Sequence, residues 1–254
     1  MKGCGITAAL FFVFCMTTCL INPFRKKGEP GLASIGILAV NPSDSLSFAN
    51  LGKRYALKRH DLFHAQVYHG DKFFLAGPAV GAPMAVLTLE KLIALGACKI
   101  LVYGWCGSLH SSMNVGSLFT PTGEGVSEEG TSSHYPLNGD SFDHVWQKQL
   151  IDLLSKTGVR VHQGPIWTTD APYRETKDKV EKYGSQGVLA VDMEYTALRT
   201  LAVFRQVSLA AVMMVSDELF NREWIPRFQY KRFQSQSRQV LSQLCIFLHE
   251  GELV

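Results

Sequence analysis

The chain reads as one α/β domain, a central twisted mixed sheet flanked by helices. Short apolar runs alternate with stretches of helical spacing along most of its 254 residues. Hydrophobic residues make up 46% and charged residues 19%, which suits one substantial core. Glycine turns, Gly77 with Gly81 and Gly104 with Gly107, stand where two apolar runs end. Open α/β sheets bind ligands in the crevice at such strand ends, where loops carry exposed amides and helix N-termini.

Residues 1–30 are expected to stand apart from a domain at 31–254. Ile6 to Ile21 is almost wholly apolar, with Lys2 before it and Arg25-Lys26-Lys27 after it. This length suits a leader core and is short for a membrane span, which needs about 20 residues. Met16-Thr17-Thr18-Cys19 is a poor lipoprotein signal, and a true start at Met16 is a third reading. The expected location is cytoplasmic, or membrane-anchored or exported if the apolar segment is a genuine signal.

Within the domain, Ile35 to Val40 is the first buried strand and Asn41-Pro42-Ser43-Asp44 its exit turn. A helix is expected over Leu46 to Leu57. Ala65 to Tyr68 and Phe73 to Ala76 form a hairpin around His69-Gly70-Asp71. Met84, Val86, Leu87, Leu89, Leu92, Ile93 and Leu95 have helical spacing, and Gly96 stops that helix. Ile100 to Tyr103 follows as a buried strand, with Gly104 and Gly107 freeing the backbone as it leaves the sheet. Val115 to Phe119 is another strand. The polar stretch Thr122 to Asp140 is a long loop of the kind kept to cover a site or an interface.

Phe142 to Lys156 is amphipathic and ends at Gly158; Val159 to Trp167 returns to the sheet; Lys177 to Tyr183 is helical. Val188 to Val191 leads into Asp192-Met193-Glu194-Tyr195, and Thr196 to Phe204 is helix. Val207 to Val215 is a near-continuous apolar strand ending in Ser216-Asp217-Glu218, and Phe228 to Glu250 is the closing helix. Phe220 to Arg227 reads either as a plain loop or as a lid over a site.

The net charge of +3 is small and its basic residues are scattered, so nothing points to nucleic acid. Cysteine and histidine spacing gives no zinc site. Cys98, Cys106 and Cys245 stand far apart in apolar contexts, the pattern of free thiols in a reducing compartment. Carboxylates at the ends of two apolar runs, Asp192 with Glu194 and Asp217 with Glu218, are the groups most able to carry chemistry. Each is either solvated or kept for a purpose, because burying an unpaired charge costs several kcal/mol.

Four segments together resemble the purine nucleoside and uridine phosphorylase family, whose members include nucleosidases. They are Gly77-x-x-x-Gly81-Ala82-Pro83, Gly104-Trp105-Cys106-Gly107, Val191-Asp192-Met193-Glu194 and Val215-Ser216-Asp217. The likeness runs from about Ile35 to Asp217, and Gly130 to Tyr135 is similar to the corresponding loop of uridine phosphorylases. The resemblance implies cleavage of a nucleoside N-glycosidic bond, through an oxocarbenium-like sugar and a base that takes up electrons. Glu194 would accept hydrogen bonds from the ribose 2′- and 3′-hydroxyls, with Met193 packed on the sugar. Asp217 would be the acid facing a purine's imidazole nitrogen, a role that burial beside Val207 to Val215 would favour. The base would sit against Tyr173, Asp192, Cys106 and Gly107, with Trp105 a second stacking candidate.

The phosphate side departs from the family pattern. Pro42-Ser43-Asp44 replaces Pro-Gly-Asp, and Ser47, Val102 and Trp105 stand where two arginines and a Ser or Thr are expected. Ser43, Arg59, Gly104 and Trp105 remain as the phosphate or water site, Arg59 being lent across a subunit interface. The resemblance further implies a homo-oligomer, dimer or hexamer, with no metal or organic cofactor and with inorganic phosphate as a candidate co-substrate. Three functions stay open: phosphorolysis, hydrolysis with Asp44 as general base, and non-catalytic nucleoside binding or storage.

Overall fold

The structure, a computed structural model, describes residues 19–123, 125–135, 144–221 and 224–253. Most of the apolar N-terminal segment, and the expected helix start at Phe142, lie outside the described residues. In chain order the strands and helices are β1 (Ile35–Ala39), α1 (Pro42–Ser45), α2 (Phe48–Arg54), β2 (Lys58–Asp61), β3 (Gln66–His69), β4 (Phe74–Gly77) and α3 (Ala82–Ala94). Next come β5 (Lys99–Ser108), β6 (Leu118–Pro121), β7 (Val126–Ser127), α4 (His144–Lys156), β8 (Val161–Gly164), β9 (Ile166–Thr168) and α5 (Lys177–Ser185). The chain closes with β10 (Ala190–Asp192), α6 (Tyr195–Arg205), β11 (Ser208–Glu218), β12 (Ile225–Pro226) and α7 (Lys231–Glu250).

The twelve strands of the described residues all join one mixed sheet. The long strand β5 is its spine, parallel to β1 on one side and to β11 on the other. Side chains alternate across β5 as a pleated strand requires. Ile100 and Val102 face α3 and α6 with Leu89, Leu92, Leu198 and Leu201. Leu101 and Tyr103 face the other way, toward Leu150, Leu154, Leu241 and Leu244 of α4 and α7. The sheet is thus covered on both faces, which is why its central strands read as continuous apolar runs. On β11, the N–H and C=O of Ala211 point away from β5 and are paired by the buried side-chain amide of Gln147 from α4, at 3.0 and 3.1 Å.

Several boundaries differ from the sequence reading, each for a physical reason. Gly104 and Gly107 do not end β5, because β11 stays paired with it as far as Ser108. The single strand expected over Val159 to Trp167 is two, broken at Pro165: β8 pairs with β6, and β9 with β10 and β7. The helix expected over Leu46 to Leu57 is split into α1 and α2, with Leu46 exposed between them. The exposed, charged edge strand β2 has no apolar signature to read. Part of the loop Thr122 to Asp140 folds back onto α6 through buried Glu129, which accepts from Ser127 Oγ and Thr196 Oγ1, each at 2.9 Å, and from the Ser132 N–H. Residues 19–30 are pinned beside α3, where Lys91 Nζ meets Glu29 at 2.6 Å and the Phe24 carbonyl at 2.8 Å. Among the described residues no helix is long and apolar enough to cross a membrane.

Candidate active site

The sheet topology makes the site. Strand β1 accompanies β5 only as far as Ala39 opposite Tyr103, and β10 takes over the same side at Gly107 and Ser108. Residues 104–106 fall in the gap between them, and a cavity of about 610 Å³ opens there. Its walls bring together Asn41, Trp105, Cys106 and Gly107 with Asp192, Met193 and Glu194 from the start of α6. Ser216 and Asp217 of β11 face them, and Tyr173, Glu175, Trp224 and Phe228 close the remaining sides.

Asp192 organises the helix start. Its Oδ2 accepts the backbone N–H groups of Glu194 (3.1 Å) and Tyr195 (2.7 Å), and its Oδ1 accepts from Thr168 Oγ1 (2.6 Å). Those orphan N–H groups at a helix N-terminus are what a capping carboxylate satisfies. Although Asp192 lines the cavity as expected of a base-binding residue, its carboxyl is engaged by these three donors. Glu194 is buried, and its Oε1 accepts the Gly81 N–H at 2.6 Å. Gly81 opens α3 at φ +80°, a conformation that glycine adopts without strain, so the first glycine turn holds the acidic residue delivered by the second half of the chain. Burial, reinforced by the neighbouring Asp192 charge, pushes the Glu194 carboxyl above its ordinary range.

Asp217 stands just after a bulge: Val215 pairs with Cys106 and Asp217 with Gly107, leaving Ser216 as the extra residue. The irregularity aims both Ser216 and Asp217 at the cavity, where a regular strand would turn them to opposite faces. Ser216 Oγ donates to Asp217 Oδ1 (2.6 Å) and Trp224 Nε1 to Oδ2 (2.8 Å). Asp217 is partly exposed, since β11 carries it past the core. Gly107 supplies the room: a Cβ there would lie 2.3 Å from Leu219 Cδ1 and 3.3 Å from Asp217 Oδ2.

At the Asn41 end the expectations change most. Asp44 is fully buried and does not line the cavity. Its Oδ1 accepts from Ser237 Oγ of α7 at 2.8 Å and its Oδ2 lies 3.4 Å from Asn41 Nδ2. Ser237 Oγ also accepts from Trp105 Nε1 at 2.7 Å and stands 2.8 Å from the Tyr103 hydroxyl. Burial raises the Asp44 carboxyl to about 6 against these hydrogen bonds. A general base must reach a water in the cavity, whereas Asp44 lies off the cavity wall with its carboxyl turned to Ser237. Trp105 is on the wall, held by Ser237 and edge-on to Phe233. Among the described residues the buried Ser43 hydroxyl has no hydrogen-bond partner. Gly104 is buried off the wall, and Arg59 is exposed on β2, paired with Asp61 at 2.7 Å. Tyr173 lies at the rim, 95% exposed, so its ring is not packed in the core.

Sequence reasoning missed Glu175, Ser237 and the role of Trp224. Glu175 follows the short 3-10 turn Pro172–Arg174, and burial, with the charges of Asp217 and Asp192, raises its carboxyl to about 8. Burial also pushes the Cys106 thiol well above its usual range, so that part of the wall is neutral. Among the described residues lining the cavity Lys177 is the one cation, against Glu175, Glu181, Asp192, Glu194 and Asp217. No group of three described His, Cys, Asp or Glu side chains is arranged to hold a metal ion.

Comparison with known proteins identifies the family and the fold. The purine nucleoside phosphorylase DeoD-type of Bacillus thuringiensis (strain Al Hakam) is 30% identical over 161 residues, 61% of this chain and 68% of its own length. The solved purine nucleoside phosphorylase from Toxoplasma gondii, in complex with immucillin-H, shares the fold with TM-score 0.71 at 19% identity, over 87% of this chain and 93% of that one. The AMP nucleosidase from Bacteroides thetaiotaomicron VPI-5482 does so with TM-score 0.66 at 18% identity, over 85% and 89%. The sequence profile of the Phosphorylase superfamily matches residues 35–246, the whole span from β1 into α7, and the chain belongs to that superfamily.

Proposed function

We propose that the protein cleaves the N-glycosidic bond of a nucleoside, with a purine as the leaving base. One observation carries the reading: Glu194, fixed by the Gly81 N–H, and Asp217, fixed at both oxygens, line one cavity with Met193 between the two glycine turns. In this reading Glu194 accepts the ribose hydroxyls and Met193 packs on the sugar. As the C1′–N bond breaks, its electron pair stays on the base nitrogen and Asp217 hydrogen-bonds or protonates the imidazole nitrogen. A nucleophile oxygen then bonds to C1′. The purine assignment rests on Asp217 and on the name of the DeoD-type relative. Cys106 and Cys245, both buried free thiols, suit a reducing cytoplasm.

The relatives named phosphorylases use phosphate, and a second copy of the chain would bring Arg59 to that site as a homo-oligomer. A second reading takes water as the nucleophile. It is favoured by the charge of the cavity, where among the described lining residues Lys177 is the one cation beside five carboxylic side chains, and Trp105 occupies the wall beside Asn41. A phosphate dianion needs charged donors, each contributing roughly 1.5–3 kcal/mol. The test is a nucleoside panel with and without phosphate, separating free sugar from sugar 1-phosphate. Phosphate-dependent sugar 1-phosphate supports phosphorolysis, and free sugar without phosphate supports hydrolysis. A panel left intact by the wild-type chain, while purines still bind, overturns cleavage in favour of a binding protein.

A further inference from the structure

The Asp217 carboxyl is held by two unlike donors. Ser216, its neighbour on the bulge, takes Oδ1 at 2.6 Å, and the Trp224 indole N–H takes Oδ2 at 2.8 Å from seven residues downstream. Trp224 is not a loose surface ring. The backbone immediately after it, β12, pairs antiparallel with β11, Pro226 opposite Asp217 and Ile225 opposite Glu218. The Arg227 N–H then donates to the Ser216 carbonyl at 3.0 Å. The indole tilts against Phe228, with ring centroids 6.0 Å apart, and both rings line the cavity. The segment after Trp224 is therefore stitched to the very residues that carry Asp217, and the indole returns across that seam to the carboxylate. A carboxyl that must present one oxygen to a flat base needs its plane fixed, and a donor at each oxygen fixes it.

We infer that Trp224 is a positioning residue that orients the Asp217 carboxyl toward the leaving base. The inference rests on the proposed cleavage reaction, but the contact itself is testable without turnover. With the full chain labelled on tryptophan with nitrogen-15, the indole resonance of Trp224 is identified by its absence in Trp224→Phe. Asp217→Ala removes the acceptor and should move that resonance and speed its exchange with water. The Trp105 and Trp167 indoles, bonded to Ser237 and Glu128, should stay in place. An unmoved Trp224 resonance overturns the contact.

Trp224→Phe keeps an aromatic ring and loses the N–H. It should lower kcat about tenfold, the lower end for a hydrogen bond to a charged group because the indole is half-exposed, with KM little changed. An unchanged kcat, or a loss that falls on KM alone, overturns the positioning role and makes Trp224 a binding surface. If the wild-type chain cleaves no nucleoside, the proposed reaction falls and the positioning role with it, while the resonances still report the contact.

Discussion

Replacing Asp44 with Asn tests whether a fully buried carboxyl beneath the cavity is a structural liability or a working base. Its ordinary value of 3.8 is raised to about 6, chiefly by burial. The folded state therefore binds this proton more tightly than the unfolded chain does. Between those two values the native protein holds more protons, so the contribution of Asp44 to stability falls as pH rises through the window and stays low above it. The full gap corresponds to ~3 kcal/mol, and the difference between pH 4.5 and pH 7.5 to about 2 kcal/mol. Asn keeps an oxygen for Ser237 Oγ and carries no charge to desolvate. Urea denaturation of wild type and Asp44→Asn at the two pH values should show the variant gaining on the wild type by about that difference as pH rises. Comparing the two proteins cancels the titration of every other group. A difference that does not change with pH, or one that moves against the variant as pH rises, refutes the reasoning. The variant should also retain turnover; its near abolition would return Asp44 to the role of general base.

Three further outcomes follow from the site and its supports. Glu175 is raised to about 8 and is mostly neutral near pH 7, so Glu175→Gln should keep wild-type activity there. If the neutral form is the working one, wild-type turnover should fall as pH climbs through about 8 while the variant's does not, read from paired pH–rate profiles. Gly107→Ala places a Cβ 2.3 Å from Leu219 Cδ1, whose tip can give way; we expect a stability cost of about 1–3 kcal/mol in urea and a lower kcat from pressure on Asp217. Gln147→Leu strips both partners from the Ala211 backbone and should cost about 2–5 kcal/mol, measured by the same denaturation.

The architecture was legible because its central strands are buried on both faces and its helices carry apolar stripes, so β1, β11 and α3 declare themselves by period alone. The glycine pairs were legible as the place of the site, and the four-segment resemblance named the superfamily. What could not be read depends on contacts between distant parts of the chain. Ser237 lies in the middle of an ordinary amphipathic helix, and only the fold carries its hydroxyl to Asp44 and Trp105. Glu175 looks like a solvated loop charge until Asp217 and Asp192 are brought around it. Gly104 and Gly107 suggested a strand end because glycine usually weakens strands; here Gly107 is spared a side chain so that Asp217 and Leu219 can fit.

The side-chain amide of Gln147 also bears on self-association. Ala210 to Val215 is an uncharged, wholly apolar strand, the kind of segment that recruits an identical chain when its edge is open. On the side away from β5, β6 covers Met213 and Met214, and Gln147 occupies the Ala211 groups next to them. One glutamine thus acts as a plug, ending the ladder where another molecule could otherwise continue it. A chain in which α4 were undocked would leave those Ala211 groups without Gln147, so the closing of this edge is tied to the packing of α4.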